Sequence, residues 1–118
     1  MENIKTIEET IQLYTSAWNE AEPQAIREKI DQCWSDQGTF TDKATDTITG
    51  RDAIVDLIAG SYGQTGPRMF QVLAEPAAHH RSGRFRWLMI RLQGYPIEGM
   101  DYFEFDEQNR ITRIIGFF

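Results

Sequence analysis

The sequence predicts an α+β fold in which three helices cover one face of a curved, mixed but mostly antiparallel sheet. Apolar residues recur at helical spacing in the first half of the chain, and most of the β-rich segments follow. Short clusters of Gly, Pro, Asn and Ser separate those later segments, as expected for hairpin turns. Segregated helices and strands of this kind are typical of α+β proteins, whose layers enclose a cleft.

Length and charge bound the class of protein. A chain of 118 residues corresponds to one domain, residues 1–118, which buries roughly two-thirds of its unfolded surface. Its formal net charge of -6 argues against general affinity for nucleic acid or anionic membranes. The single Cys33 forms no disulfide within the chain, and residues 1–5 lack the apolar region of a secretory signal. We therefore expect a cytoplasmic protein without a membrane span.

Three helices are predicted from apolar periodicity. The first is capped by Thr6 or Asn3, and its stripe consists of Ile4, Ile7, Ile11, Tyr14 and Trp18. The second begins at Pro23, whose missing N–H is not needed in a first turn, and ends near residues 35–38. The third covers residues 53–59, where Gly60 is expected to end it.

The predicted strands span residues 39–42, 69–74, 84–92, 97–105 and 111–118. The last two are joined by a polar turn in which Asn109 suits the left-handed conformation. Because side chains alternate along a strand, Asp101 shares a face with apolar Gly99 and Phe103. A carboxylate there is costly unless it is paired, protonated or hydrated, so Asp101 is either a structural anchor or part of a site.

Asp42 repeats this pattern, because it shares a predicted strand face with Phe40. It also precedes a polar loop, where an aspartate often caps a turn. Tyr14 lies on the apolar stripe of the first helix, where a core role and a site role are both open. The alternative for Asp101 is an ion pair with Arg91 or Arg113 that would keep it ionised.

Several segments in register resemble the cone-shaped NTF2-like (cystatin-like) fold, and within it the SnoaL-like branch of polyketide cyclases and ketosteroid-isomerase-like proteins. The segments that carry the resemblance are YTSAWN at 14–19, FTD at 40–42, TGRDAI at 49–54, GMDYFEFD at 99–106 and NRI at 109–111. The resemblance covers nearly the whole chain and implies the fold, but that superfamily contains several unrelated activities.

In ketosteroid isomerase a carboxylate base moves a proton while a tyrosine and a protonated aspartic acid stabilise the enolate oxygen. By motif, the resemblance assigns the base to Asp42 and the two donors to Tyr14 and Asp101. Lys43 stands where the isomerase pattern has a proline, and the turn before Asp101 is shorter than in that pattern.

The residues expected to form the wall of the substrate-binding pocket are Trp18, Phe40, Trp87, Phe103, Ile114, Gly116 and Phe118. Whether Trp87 or Leu88 faces the cleft is open at this level.

We expect no metal and no cofactor, since adjacent His79 and His80 at a turn point apart and no third ligand has metal spacing. Four arginines in residues 81–91 suggest either an anion patch or, more simply, a solvated strand face.

The leading hypothesis is a cofactor-free acid/base enzyme, of isomerase or cyclase type, acting on a hydrophobic carbonyl compound. The alternatives are a non-catalytic binding module of the same fold and an epoxide-hydrolase-like site, which needs an arginine between two carboxylates. Homodimerisation through the outer sheet face is also expected, with Leu88, Ile90, Met100 and Tyr102 as contacts.

Overall fold

The computed structural model describes residues 4–118 and has the predicted α+β architecture. This range contains three helices and seven strands, in the order α1 Ile7–Ala17, α2 Pro23–Cys33, β1 Trp34–Asp42, β2 Thr45–Thr49, α3 Arg51–Thr65, β3 Arg68–Val72, β4 Ala77–His79, β5 Ser82–Arg91, β6 Ile97–Phe105 and β7 Ile111–Phe117. Within the described residues, no helix is long and apolar enough to cross a membrane.

The strands form one mixed sheet with the order β2-β1-β7-β6-β5-β3, and β4 pairs with β5. Only the β1–β7 pairing is parallel among the strands described; the other pairs are antiparallel. The prediction of a mixed, mostly antiparallel sheet covered by three helices is therefore confirmed.

The helices begin where local chemistry predicts. Thr6 Oγ1 accepts the Glu9 amide at 3.1 Å, and Glu9 Oε1 accepts the Thr6 amide at 2.9 Å, which closes a capping box. The alternative cap, Asn3, lies outside the described residues. Pro23 occupies the first turn of α2. Ile11 in α1 and Ile26 and Ile30 in α2 are completely buried, so both helices face the core with their apolar stripes. Ile4 was wrongly assigned to the first stripe, because it precedes the Thr6 cap and is 59% exposed.

Two predicted boundaries are wrong. Gly60 does not end α3, which continues to Thr65 and is capped by Gly66 at a φ of 72°. A helical glycine costs only about 1 kcal/mol, and α3 offsets this through the contacts that Ser61 and Thr65 make with Arg68. The second error concerns the end of α2, predicted near residues 35–38: α2 ends at Cys33, and residues 35–38 belong to β1, which begins at Trp34 directly after the helix. The short strands β2 and β4 were not predicted.

The other strands match their predicted positions to within two residues at each end, and Asn109 adopts a φ of 58° in the final turn. Trp87, not Leu88, faces the helices, because Trp87 is 9% exposed and Leu88 lies on the opposite face of β5. The inner faces of β5 and β6 therefore carry the side chains that form the candidate site.

Candidate functional site

A cavity of about 260 Å³ lies between the helices and the inner face of the sheet. Its wall is mainly aromatic and aliphatic. Within the described residues the lining contains one carboxylate, Asp101, and one cation, Arg91. The full lining consists of Tyr14, Thr15, Trp18, Phe40, Ser61, Thr65, Phe70, Phe85, Trp87, Met89, Arg91, Ile97, Asp101 and Phe118.

Asp101 lies in the middle of β6, between Phe85 of β5 and Gly116 of β7. Its side chain is 6% exposed, and Trp87 Nε1–H donates a hydrogen bond to Asp101 Oδ1 at 3.0 Å. Neither Arg91 nor Arg113 forms an ion pair with it among residues 4–118. The partner of this carboxyl group is therefore an indole N–H rather than a charge.

Burial raises the pKa of Asp101 from its ordinary value of 3.8 to about 7. The hydrogen bond from Trp87 opposes this by lowering the pKa, and the nearby Asp42 carboxylate adds to the rise. A carboxyl group with this pKa exchanges its proton near neutral pH.

Two glycines make room for this arrangement. Gly99 lies directly opposite Trp87, and a Cβ there would collide with the indole ring. At Gly116 a Cβ would lie 3.2 Å from Asp101 Oδ1 and 3.4 Å from Asp42 Cβ. Gly99 thus lets the Trp87 ring lie across β6 and reach Asp101, while Gly116 leaves space between the two carboxylate side chains.

Tyr14 lies in α1, lines the cavity and is 2% exposed. Its ring stacks on Trp34 with a centroid distance of 5.5 Å. Burial, and secondarily the charge of Asp101, raises the pKa of Tyr14 well above its ordinary value. Its hydroxyl is therefore a neutral donor in the physiological range, in a position that also contributes to the core.

Asp42 is half-buried at the end of β1 and is not among the residues that line the cavity. Its Oδ1 accepts the Ala44 amide at 2.8 Å, which is the turn-capping role considered above. The β1–β2 register shifts between Phe40 and Asp42, so the alternation expected between these two residues is interrupted. Asp42 nevertheless flanks Gly116 opposite Asp101.

The structure places the predicted wall residues in two groups. Trp18, Phe40, Trp87 and Phe118 line the cavity, whereas Phe103 and Ile114 are fully buried in the core behind it, outside the lining, as is Gly116. Aromatic contacts connect the wall, with centroids 5.9 Å apart for Trp18–Phe40 and 5.9 Å apart for Trp87–Phe118.

Sequence reasoning missed several lining residues. Phe85, Met89 and Arg91 follow from the alternation of β5 once Trp87 is known to face inward. Phe70 and Ile97 belong to neighbouring strands, and the polar residues that went unnoticed are Thr15, Ser61 and Thr65. Thr15 Oγ1 and Arg91 Nε are buried and have no hydrogen-bond partner among residues 4–118.

Other chemically notable side chains lie elsewhere. His79 and His80 are exposed at the β4–β5 turn, where His80 has a φ of 51°. Cys33 is buried, and burial raises the pKa of its thiol to about 12, which leaves it protonated. Residues 4–118 contain no group of three His, Cys, Asp or Glu side chains arranged to hold a metal ion.

The feature expected of an epoxide-hydrolase-like site, an arginine between two carboxylates, is absent from the described residues. Arg113 lies on the exposed face of β7, 3.6 Å from Glu104. Arg91 faces the cavity, but it lies six positions along β5 from Phe85, the residue paired with Asp101.

Comparisons with known proteins agree with this fold. The most relevant structures include a candidate isomerase of the SnoaL-like family from Agrobacterium tumefaciens, with 24% identity, a TM-score of 0.85 and coverage of 96% of this chain and 97% of the other. A candidate polyketide cyclase from Sinorhizobium meliloti has 16% identity, a TM-score of 0.71 and coverage of 92% and 93% respectively.

A protein of ketosteroid-isomerase-like fold from Catenulispora acidiphila, solved with trimethylamine, has 16% identity, a TM-score of 0.75 and coverage of 96% and 87%. Such low identities establish the fold alone. No curated protein sequence matches the chain significantly.

At the level of sequence families, residues 11–114 match the SnoaL-like domain. The matched range covers most of the chain and includes every residue of the cavity lining except Phe118. The resemblance seen in the sequence is thereby confirmed, and the chain belongs to the SnoaL-like domain family, within the NTF2-like group of folds.

Proposed function

We propose that the cavity binds a small apolar carbonyl compound and that Asp101 and Tyr14 donate hydrogen bonds to the oxyanion that forms when a neighbouring C–H is deprotonated. The observation that carries this proposal is a buried carboxyl group, 6% exposed, in an otherwise apolar lining, with a pKa raised to about 7 by burial. A neutral carboxylic acid in an apolar site is a strong donor to a developing negative charge.

The contacts of Asp101 define which oxygen acts. Because Trp87 Nε1–H donates to Oδ1 at 3.0 Å, we assign the proton of the neutral acid to Oδ2. Tyr14 supplies the second O–H, which stays protonated because its pKa is raised well above the ordinary value. Asp42, across Gly116 from Asp101, is the proposed base that accepts the substrate proton.

The size and wall of the cavity limit the substrate. A volume of about 260 Å³ lies just below the usual range for small-molecule sites, roughly 300–1,000 Å³. We infer a molecule of one or two rings held between Trp18, Phe40 and Trp87.

Proton exchange on 2-tetralone, an apolar ketone with acidic C–H bonds, tests the proposed chemistry. The protein should accelerate deuterium incorporation from D₂O, followed by NMR. Asp42→Asn should slow it by about 10²–10⁴-fold, and Asp101→Ala by about 10²–10³-fold. Asp46→Asn removes an exposed carboxylate and should leave the rate of deuterium incorporation unchanged. Because the donor must be protonated, the rate should fall as the pH rises through about 7.

A second candidate function, ligand binding without chemistry, is favoured by the position of Asp42 outside the cavity lining and by its bond to the Ala44 amide. In that case 2-tetralone would saturably quench the fluorescence of Trp18 and Trp87, while deuterium incorporation would stay at the uncatalysed rate in every variant.

The outer face of the sheet is the proposed dimer interface. Ile90 is 41% exposed and lies directly opposite Met69, which is 56% exposed, on the neighbouring strand. Leu88, Met100 and Tyr102 extend this surface over β5 and β6. These apolar side chains, which share the face with the Arg86–Glu98 ion pair, are candidates for burial against a second copy.

A further inference from the structure

The two charged residues of the cavity lining lie far apart on neighbouring strands, Asp101 on β6 and Arg91 at the end of β5. Phe85, Trp87, Met89 and Arg91 occupy alternate positions of β5 and all line the cavity. Asp101 is paired with Phe85, whereas Arg91 is six residues further along, about 20 Å between Cα atoms in an extended strand. The cavity is therefore polarised, with an acid towards one end and a guanidinium towards the other.

Among residues 4–118, Arg91 has no partner that explains its position. Its Nε is buried without a hydrogen-bond acceptor, and residues 4–118 provide no carboxylate in ion-pair contact with it. The guanidinium lies over Gly94 in the β5–β6 turn, where a Cβ would be 3.1 Å from Nη2. A half-buried guanidinium without an anion against it is unfavourable, so the missing partner requires an explanation.

A second guanidinium reinforces the positive charge at this end. Arg68 of β3 pairs directly with Arg91 in the sheet and is 8% exposed. Its hydrogen bonds go to neutral groups: Trp18 O at 3.1 Å, Ser61 Oγ at 2.8 Å, Thr65 Oγ1 at 2.9 Å and Ile58 O at 3.5 Å. Burial lowers the pKa of Arg68 only to about 10, so the group is charged at neutral pH.

These contacts place two cations beside an apolar cavity with no protein anion against either of them in the described residues, although the whole chain carries a net charge of -6. We infer that the ligand of this cavity carries a carboxylate that binds Arg91, with its apolar body extending towards Asp101. This inference rests on the proposed function, because it names the substrate class of the same site.

The chemistry of the two ends supports a carboxylate rather than a neutral polar group. A guanidinium offers N–H donors in a planar arrangement that matches a carboxylate in shape and charge. The length of β5 between Arg91 and Phe85, the residue paired with Asp101, keeps the ligand anion away from the acid that has to remain protonated. Specificity for an acid with an apolar tail follows from this separation.

A matched pair of probes tests the inference. Phenylbutanoate and phenylbutanamide differ in charge but share their apolar body, and quenching of Trp18 and Trp87 reports occupancy of the cavity. Wild-type protein should bind the carboxylate about 10-fold to 100-fold more tightly than the amide, the range expected for hydrogen bonds to a charged group. Arg91→Gln should bring this ratio close to one, and Arg91→Lys should restore part of it.

Arg84→Gln is the matched control, because Arg84 lies on the same strand, is exposed on the opposite face and has no ion pair in the described residues. It removes the same charge and should keep the preference for the carboxylate. Circular dichroism establishes that each variant is folded.

Equal affinity of wild-type protein for the two probes would overturn the anion site while leaving the cavity as a binding site. A preference that persists in Arg91→Gln would overturn the role of Arg91. Failure of both probes to bind would contradict the anion site and the proposed occupant of the cavity together. If wild-type protein did not accelerate deuterium incorporation into 2-tetralone, by contrast, only the catalytic proposal would be contradicted.

Discussion

Replacing Asp101 with asparagine should stabilise the fold at neutral and alkaline pH. The pKa of this carboxyl group is about 7 in the folded protein, against an ordinary value of 3.8. Because the folded state holds the proton more tightly, ionisation costs stability progressively as the pH rises from about 4 to about 7, and the full cost remains above that. A difference of about three pH units corresponds to about 4 kcal/mol at most.

The side-chain amide of the Asp101→Asn variant retains an oxygen that accepts the Trp87 N–H, and it cannot ionise. The gain in the free energy of unfolding should therefore be small at about pH 4 and grow to several kcal/mol at about pH 8, as measured by urea denaturation. Asp46→Asn, at an exposed position, is the control and should show no such trend. A difference between Asp101→Asn and wild type that does not change with pH would refute the reasoning that burial keeps Asp101 protonated.

Three further predictions concern the surroundings of this group and the outer face of the sheet. Trp87→Phe removes the N–H that lowers the pKa of Asp101, so the carbon-13 shift of that carboxyl should titrate above about 7; an unchanged midpoint would contradict this role. Gly99→Ala places a Cβ against the Trp87 ring and should cost about 1–3 kcal/mol in urea denaturation. Its control, Gly60→Ala, meets no atom within 4 Å and should stabilise α3 by about 0.5–1 kcal/mol, so equal effects would argue against the packing explanation. Light scattering should give twice the monomer mass, and Ile90→Lys should halve it; a wild-type monomer at all concentrations would exclude the proposed interface.

Local patterns were sufficient for most of the fold. The helical stripe containing Ile11 and Tyr14, the first-turn proline Pro23 and the alternation around Asp101 depend on spacing alone, and all three appear in the structure as predicted. The prediction that Gly60 ends α3 was wrong because the low helix propensity of glycine is a weak preference. The contacts of α3 with Arg68 outweigh it.

Local sequence patterns predicted less of the candidate site than of the fold. Periodicity placed Asp101 on an inner face, yet its partner Trp87 comes from another strand, across from a glycine that a single sequence does not mark as special. From the sequence, Arg91 could be interpreted only as an ion-pair partner of Asp101 or as one member of an arginine cluster. Its distance from Asp101 follows from the pairing of Phe85 with Asp101, which the sequence does not give.

The order of residues alone thus decides which segments become helices and strands and which side chains share a face, because those properties arise from interactions between near neighbours in the chain. Strand register and packing decide the rest. They bring Trp87 to Asp101, leave Asp42 at a turn outside the cavity lining and place Arg91 beside Arg68. These contacts join residues far apart in sequence, so they form only in the folded sheet. They depend on the space left at Gly99 and Gly116 and on the register shift between β1 and β2.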